Sequence, residues 1–228
     1  MLATAGVASA GPAPGFAASY TLAEGDARVT TTNTGSIAVA ATEEAYVDVA
    51  TPVDQKIWMG AKGMAVYYPE EELVVQTPRG KDELPPVFDA IMAALRDPGE
   101  ILGGRAKLVK REREGASLVT RWDVSDKSGK LVGGLIVRET ASAVSRIEVL
   151  GPKGALSIRY DFRDARKVGA LRVPLGIEAE YFDARGAMHR HEAWRFRDPR
   201  PLDAATRDLL AGPPAFPAGT KIKSVRRK

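Results

Sequence analysis

Alternation is the feature that most restricts this chain. Residues 155–162 place Leu156, Ile158, Tyr160 and Phe162 on one side, with Ser157, Arg159 and Asp161 on the other. A period of two turns one face of an extended strand to a core and the other to water. The same pattern, in short runs rich in Thr, Val, Ile and aromatic residues, covers residues 16–22, 28–41, 45–50, 55–59, 64–68 and 73–76. It resumes at 106–111, 117–124, 131–138, 145–150, 176–182 and 188–197. Gly35 and the Gly133-Gly134 pair interrupt apolar strands, where a bulge or bend is expected. Turn sequences at 61–63, 69–71, 126–129, 151–154 and 183–186 separate the runs. Connections this tight join antiparallel neighbours. The pattern predicts a mainly β protein of about eleven strands in one large antiparallel sheet, curved or closed, because a sheet this wide rolls up.

One segment breaks the period. Pro85-Pro86 opens residues 87–96 and Asp97-Pro98-Gly99 closes them, which is helix punctuation. Val87, Phe88, Ile91, Met92 and Leu95 recur at helical spacing and form one apolar stripe. On pattern alone this helix either covers the mouth of a rolled sheet or plugs it as ordinary core. A second short helix is predicted over 202–210, stopped by Gly212-Pro213-Pro214.

The two ends differ in character from the body. Residues 1–15 carry no charge, and Ala8-Ser9-Ala10 fits the small-residue rule for signal-peptide cleavage, so they read as a signal-peptide remnant or a disordered N-terminus. The folded domain is expected over 16–218, with a basic tail over 219–228. The net charge of +4 is concentrated there, in Lys221, Lys223, Arg226, Arg227 and Lys228. Such a tail is read as solvated, or as touching an anionic membrane surface.

The absence of cysteine removes thiol chemistry, disulfides, cysteine metal sites and lipid-modified cysteine. No phosphate loop, dinucleotide fingerprint or nucleophile elbow occurs. His189 and His191 share a strand face, but no third histidine exists to complete a metal site, so no metal and no cofactor are expected. Lys107, Lys110, Arg111 and Arg113 are interleaved with Glu112 and Glu114, which suits a solvated strand better than a nucleic-acid platform. These readings favour a binding protein over an enzyme.

Residues 16–98 resemble the LolA-type periplasmic lipoprotein carriers. GFAASYTLAEG resembles that family's first strand and turn, and AYVDVATPVDQKIWMGAKGMAVYYPEEELVVQTP its most recognisable stretch. The helix after Pro85-Pro86 stands where the family has a lid helix. The segment from Pro201 to Gly219 is loosely similar to the family's closing segment. Two features depart from the family: no long amphipathic helix precedes the first strand, and Ala40-Ala41-Thr42-Glu43-Glu44-Ala45 stands where a basic residue, a proline and an aromatic are usual.

The resemblance implies an unclosed β-barrel with a helical lid over a hydrophobic cavity, in a periplasmic protein. It implies a carrier that shields the acyl chains of lipoproteins, or a similar lipid, between an inner-membrane exporter and an outer-membrane receptor. The alternative is a non-carrier module of the same fold, an envelope sensor or surface-assembly factor. The residues expected to line cavity and lid are Tyr20, Val47, Val49, Ile57, Met59, Val66, Tyr68, Val75, Val87, Phe88, Ile91, Met92, Leu95, Leu156 and Ile158.

Overall fold

The computed structural model describes residues 14–26, 29–42, 44–60, 63–78, 91, 105–126, 128–141 and 143–225. The chain first runs up and down as six strands: β1 (Gly15–Gly25), β2 (Thr30–Ala40), β3 (Ala45–Thr51), β4 (Gln55–Gly60), β5 (Gly63–Tyr68) and β6 (Leu73–Pro78). After residues 79–104 it resumes with β7 (Ala106–Glu114), β8 (Ser117–Ser125), β9 (Leu131–Glu139), β10 (Val144–Leu150) and β11 (Leu156–Arg163). A small hairpin, β12 (Arg166–Val168) and β13 (Leu171–Val173), precedes β14 (Gly176–Phe182) and β15 (Met188–Pro201). Helix α1 (Ala204–Leu210) and β16 (Lys221–Ser224) end the described chain.

Fourteen strands form one sheet in the order β16-β6-β5-β4-β3-β2-β1-β15-β14-β11-β10-β9-β8-β7. Only β16 is parallel to its neighbour. The two meanders meet where β1 pairs with β15. The fold is mainly β, a single curved sheet that does not close. Its edges are β7 and β16, and both carry Lys or Arg at several positions, which opposes pairing of one edge with the other.

The described strands number sixteen where about eleven were expected, and the alternating runs set out above cover thirteen of them. The unforeseen ones are β12, β13 and β16, three or four residues each and too short to show a period. The expected solvated C-terminal tail is corrected in part. Lys221–Ser224 pairs with Leu73–Gln76, and the amides of Lys221 and Val225 donate to Glu72 and Gln76 at 2.8 Å. Residues 226–228 lie outside the described residues, as do 1–13.

Local chemistry agrees with the turn readings. Asp126 Oδ1 accepts from the amides of Ser128 and Lys130, and Asp183 Oδ1 from those of Arg185 and Ala187. Both turns end on a left-handed glycine, Gly129 at φ 81° and Gly186 at φ 80°. Asp203 caps α1 by accepting from the Thr206 amide at 2.8 Å. Gly35 and Gly133 sit where neighbouring strands crowd: a Cβ there would lie 1.9 Å from the Asp48 carbonyl oxygen and 2.2 Å from that of Leu150.

The two faces of the sheet are built differently. The main core gathers on the concave face, where Phe16, Ile37, Val39, Val137 and Ile177 are fully buried. On the convex side of the first meander, Leu202, Leu210 and Phe216 of the C-terminal segment cover Tyr46, Trp58 and Tyr67. The Phe216 ring lies 6.0 Å from Trp58 and 5.4 Å from Tyr67. The convex side of the second meander is a ladder of cross-strand ion pairs. Glu114 meets Arg138, Asp161 meets Arg146 and Arg159, Glu180 meets Arg159, and Glu178 meets Arg163 and Arg195.

Candidate functional site

The strand registers assemble an apolar row across the concave face. Ala18 pairs with Ile37, Ile37 with Val47, Val47 with Ile57, Ile57 with Val66, and Val66 with Val75. Directly paired residues of antiparallel strands project to the same side. Six strands therefore contribute one residue each to a continuous row. The alternation dictates this, since a register slip by one residue would turn the whole apolar set outward.

Of the residues expected from sequence, Val47, Ile57, Val66 and Val75 lie in that row. Tyr20, Val49 and Met59 lie beside it: Val49 pairs with Gly35, as does Tyr20, and Met59 with Met64. Tyr68 is half-buried opposite Leu73 at the end of β5. Leu156 and Ile158 belong to the second meander, where Ile158 packs against the same core from between Val149 and Tyr181. Ile91 is helical, fully buried and part of the concave core. Val87, Phe88, Met92 and Leu95 lie outside the described residues, as does the rest of the expected lid helix.

Sequence reasoning missed a polar cluster on the same face. Glu192 is 4 % exposed, the one buried charged residue among the described residues. Tyr181 Oη donates to it at 3.1 Å and Trp194 Nε1 at 3.2 Å, and the Arg190 guanidinium lies 2.7 Å away. Arg190 reaches on to Glu24 at 3.0 Å and sits over the Tyr181 ring, while Asn33 donates to Glu24 at 2.9 Å. Burial, then the Glu192 charge, pushes the Tyr181 phenol well above its usual range. Burial, with Asp48 and Glu24 nearby, raises that of Tyr20 to about 12. The signal was present in the alternation, which puts Arg190 and Glu192 on the side of Trp194 and Phe196. The histidines face the other way. His189 is exposed, and among the described residues no three His, Asp or Glu side chains converge as a metal site.

At the edge of this face, a cleft of about 640 Å³ opens between the ends of β4 and β5 and the C-terminal segment. Trp58, Met64, Leu210 and Pro213 line it, and among the described residues Met59 is the only expected site residue on its wall.

The arrangement is an apolar concave face with one polar cluster, in which the Arg190 guanidinium bridges the carboxylates of Glu192 and Glu24. Ala18, Ile37, Val47 and Val66 of the row are themselves buried, and among the described residues no nucleophile–base pair is seen on this face. No protein-family model matches the chain, and no curated protein matches it by sequence. Solved structures do match. A LolA superfamily protein from Nitrosomonas europaea aligns over 87 % of this chain and 90 % of its own, at 13 % identity and a TM-score of 0.58. A DUF1329 family protein from Desulfovibrio piger aligns over 88 % and 92 %, at 12 % identity and a TM-score of 0.61. An outer-membrane lipoprotein-sorting protein domain from Vibrio parahaemolyticus aligns over 86 % and 91 %, at 12 % identity and a TM-score of 0.57. The fold is LolA-like. The LolA-like sheet extends through the second meander, where the sequence resemblance rested on strand pattern alone.

Proposed function

We propose that this protein binds acyl chains of lipoproteins, or of a similar lipid, on the concave face of its LolA-like sheet and carries them through the periplasm toward the outer membrane. The observation that carries this reading is the row from Ala18 to Val75, one apolar residue from each of six adjacent strands on one continuous surface. Each methylene moved from water to such a surface gains about 0.8 kcal/mol, so a long chain is held strongly without any specific polar contact. Under this reading the protein is a binding protein and not an enzyme. It works outside the cytoplasm, with an inner-membrane donor and an outer-membrane acceptor and without nucleic acid. Under this reading Ile91 belongs to the cover over the bound chain.

A second reading, a module of the same fold that binds an apolar or lipidated ligand without delivering it, draws on the tight packing of the concave core. Phe16, Ile37, Ile91, Val173 and Ile177 are all fully buried there. Binding comes first in both readings. Quenching of a fluorescent fatty-acid probe should saturate with the wild-type protein and weaken for Val47→Asp and Ile57→Asp variants that still melt cooperatively. Absence of saturable binding would refute both readings. Native mass spectrometry of protein purified from the envelope then shows whether an acylated molecule travels with it.

A further inference from the structure

A second row of directly paired residues crosses the first meander on its convex side: Tyr46, Trp58, Ala65, Gln76 and Ser224, on β3, β4, β5, β6 and β16. Paired residues project to one side of a sheet, so the row runs from two aromatic rings through a methyl group to an amide and a hydroxyl. The C-terminal segment covers its aromatic end, where Phe216 stands against Trp58. Trp58, Ala65, Gln76 and Ser224 then line the cleft of about 640 Å³, a volume within the range of small-molecule sites. Glycines in the lining leave it room: a Cβ on Gly60 would meet only Glu44 Cγ, at 3.8 Å, and one on Gly212 would meet nothing within 4 Å.

Two side chains of this cleft are unspent. Trp58 is 5 % exposed, and its Nε1 has no hydrogen-bond partner. The other two indoles are bonded, Trp122 Nε1 to Thr120 and Trp194 Nε1 to Glu192, each at 3.2 Å. A buried donor without an acceptor is rare in folded proteins, and it favours a ligand that brings one. Nε1 is itself buried, so a small turn of the indole exposes it to such a ligand. The second side chain is Glu44, the one charged residue among the described residues that line the cleft. Its carboxylate accepts from Thr42 Oγ1 and has no cation beside it among the described residues. An anion entering the cleft is repelled by Glu44, and a cation is attracted.

We propose that this cleft is a second binding site, for a small apolar amine that carries a carbonyl group. The apolar body packs on Met59, Met64, Leu210 and Pro213. The carbonyl oxygen accepts from Trp58 Nε1, and the ammonium group pairs with Glu44. Gln76 can donate and accept at the polar end of the floor. The proposal goes beyond the acyl-binding reading, and it stands whatever the concave face holds.

The test is a titration with phenylalaninamide in mildly acidic buffer, where its amine is protonated, followed by the indole N–H signals in a nitrogen–proton correlation spectrum. The chain has three tryptophans, and Trp58→Phe identifies the Trp58 signal. That signal should move downfield and saturate, while those of Trp122 and Trp194 stay in place. Phenethylamine, which lacks the carbonyl, should bind about tenfold more weakly, the worth of one hydrogen bond. N-acetylphenylalanine, an anion of similar shape, should not bind, and Glu44→Gln should narrow the gap between the two charge types. Gly60→Leu should fill the cleft and abolish the shift while the protein still melts cooperatively. No saturable shift at Trp58 overturns the proposal, and so does equal binding of the anion by the wild-type protein. A folded Gly60→Leu variant that binds as wild type also overturns it; if that variant does not fold, the wild-type ligand series decides alone. Displacement of the fatty-acid probe by phenylalaninamide would move the ligand to the concave face and overturn the second site, whereas failure of the fatty-acid probe to bind bears on the acyl reading only.

Discussion

Replacing Glu192 by alanine tests whether the concave face is dry. The carboxylate accepts hydrogen bonds from Tyr181 Oη and Trp194 Nε1, and both of those residues are buried. Removing it strands two donors, each costing about 1–3 kcal/mol if water cannot reach it. The Arg190 guanidinium also loses a partner, but Arg190 keeps Glu24, and its side chain is 50 % exposed, so that loss is small. The expected total is roughly 3–5 kcal/mol, the upper range for a single substitution. Glu192→Gln keeps one acceptor and nearly the same volume, and should cost about 1–2 kcal/mol. The assay is urea unfolding followed by tryptophan fluorescence, with the slope against urea unchanged between variants. An alanine variant within about 0.5 kcal/mol of wild type would mean that water replaces the carboxylate. The cluster would then sit in a wet groove, and the dry apolar surface required for acyl binding would be lost at this point.

Three further outcomes are expected. Ile91→Ala should cost about 2–5 kcal/mol in the same assay, because Ile91 is fully buried in the concave core; a small cost with weakened fatty-acid probe binding would instead mark it as part of a loosely seated cover. Stability should fall as pH rises from about 10 toward 12, since the Tyr20 phenol is raised from 10.0 to about 12 on folding and the unfolded chain gives up that proton first. Tyr20→Phe should flatten part of this fall, leaving the contributions of Tyr46 and Tyr181, whose phenols are also raised; alkaline melting curves of the two proteins check it. Ending the chain before Lys221 should cost about 1–2 kcal/mol and promote association, because β6 then becomes an open edge, and light scattering with thermal melting reads both effects.

What was legible in the sequence is what periodicity encodes. Alternation located β1–β11, β14 and β15, and it told which residues share a face. That is why Val47, Ile57, Val66 and Val75, chosen from four separate strands, lie in one row. It failed where a strand is shorter than the period needs. β12 and β13 have three residues each around Gly169, and β16 has four, two of them lysines that read as solvated charge. It also left Glu192 unread. The alternation puts that residue on the face of Trp194 and Phe196, but its chemistry depends on Tyr181 and Arg190, and Tyr181 reaches it through the pairing of β14 with β15. The ion pairs of the convex face have the same origin: Asp161 finds Arg146 because β10 pairs with β11 in that register. A period assigns a residue to a face, whereas only the register assigns it a partner. Apolar binding needs the face alone, so the candidate surface was readable from the alternation. The buried carboxylate and its partners are relations between strands, and they emerge only when the strands are set side by side.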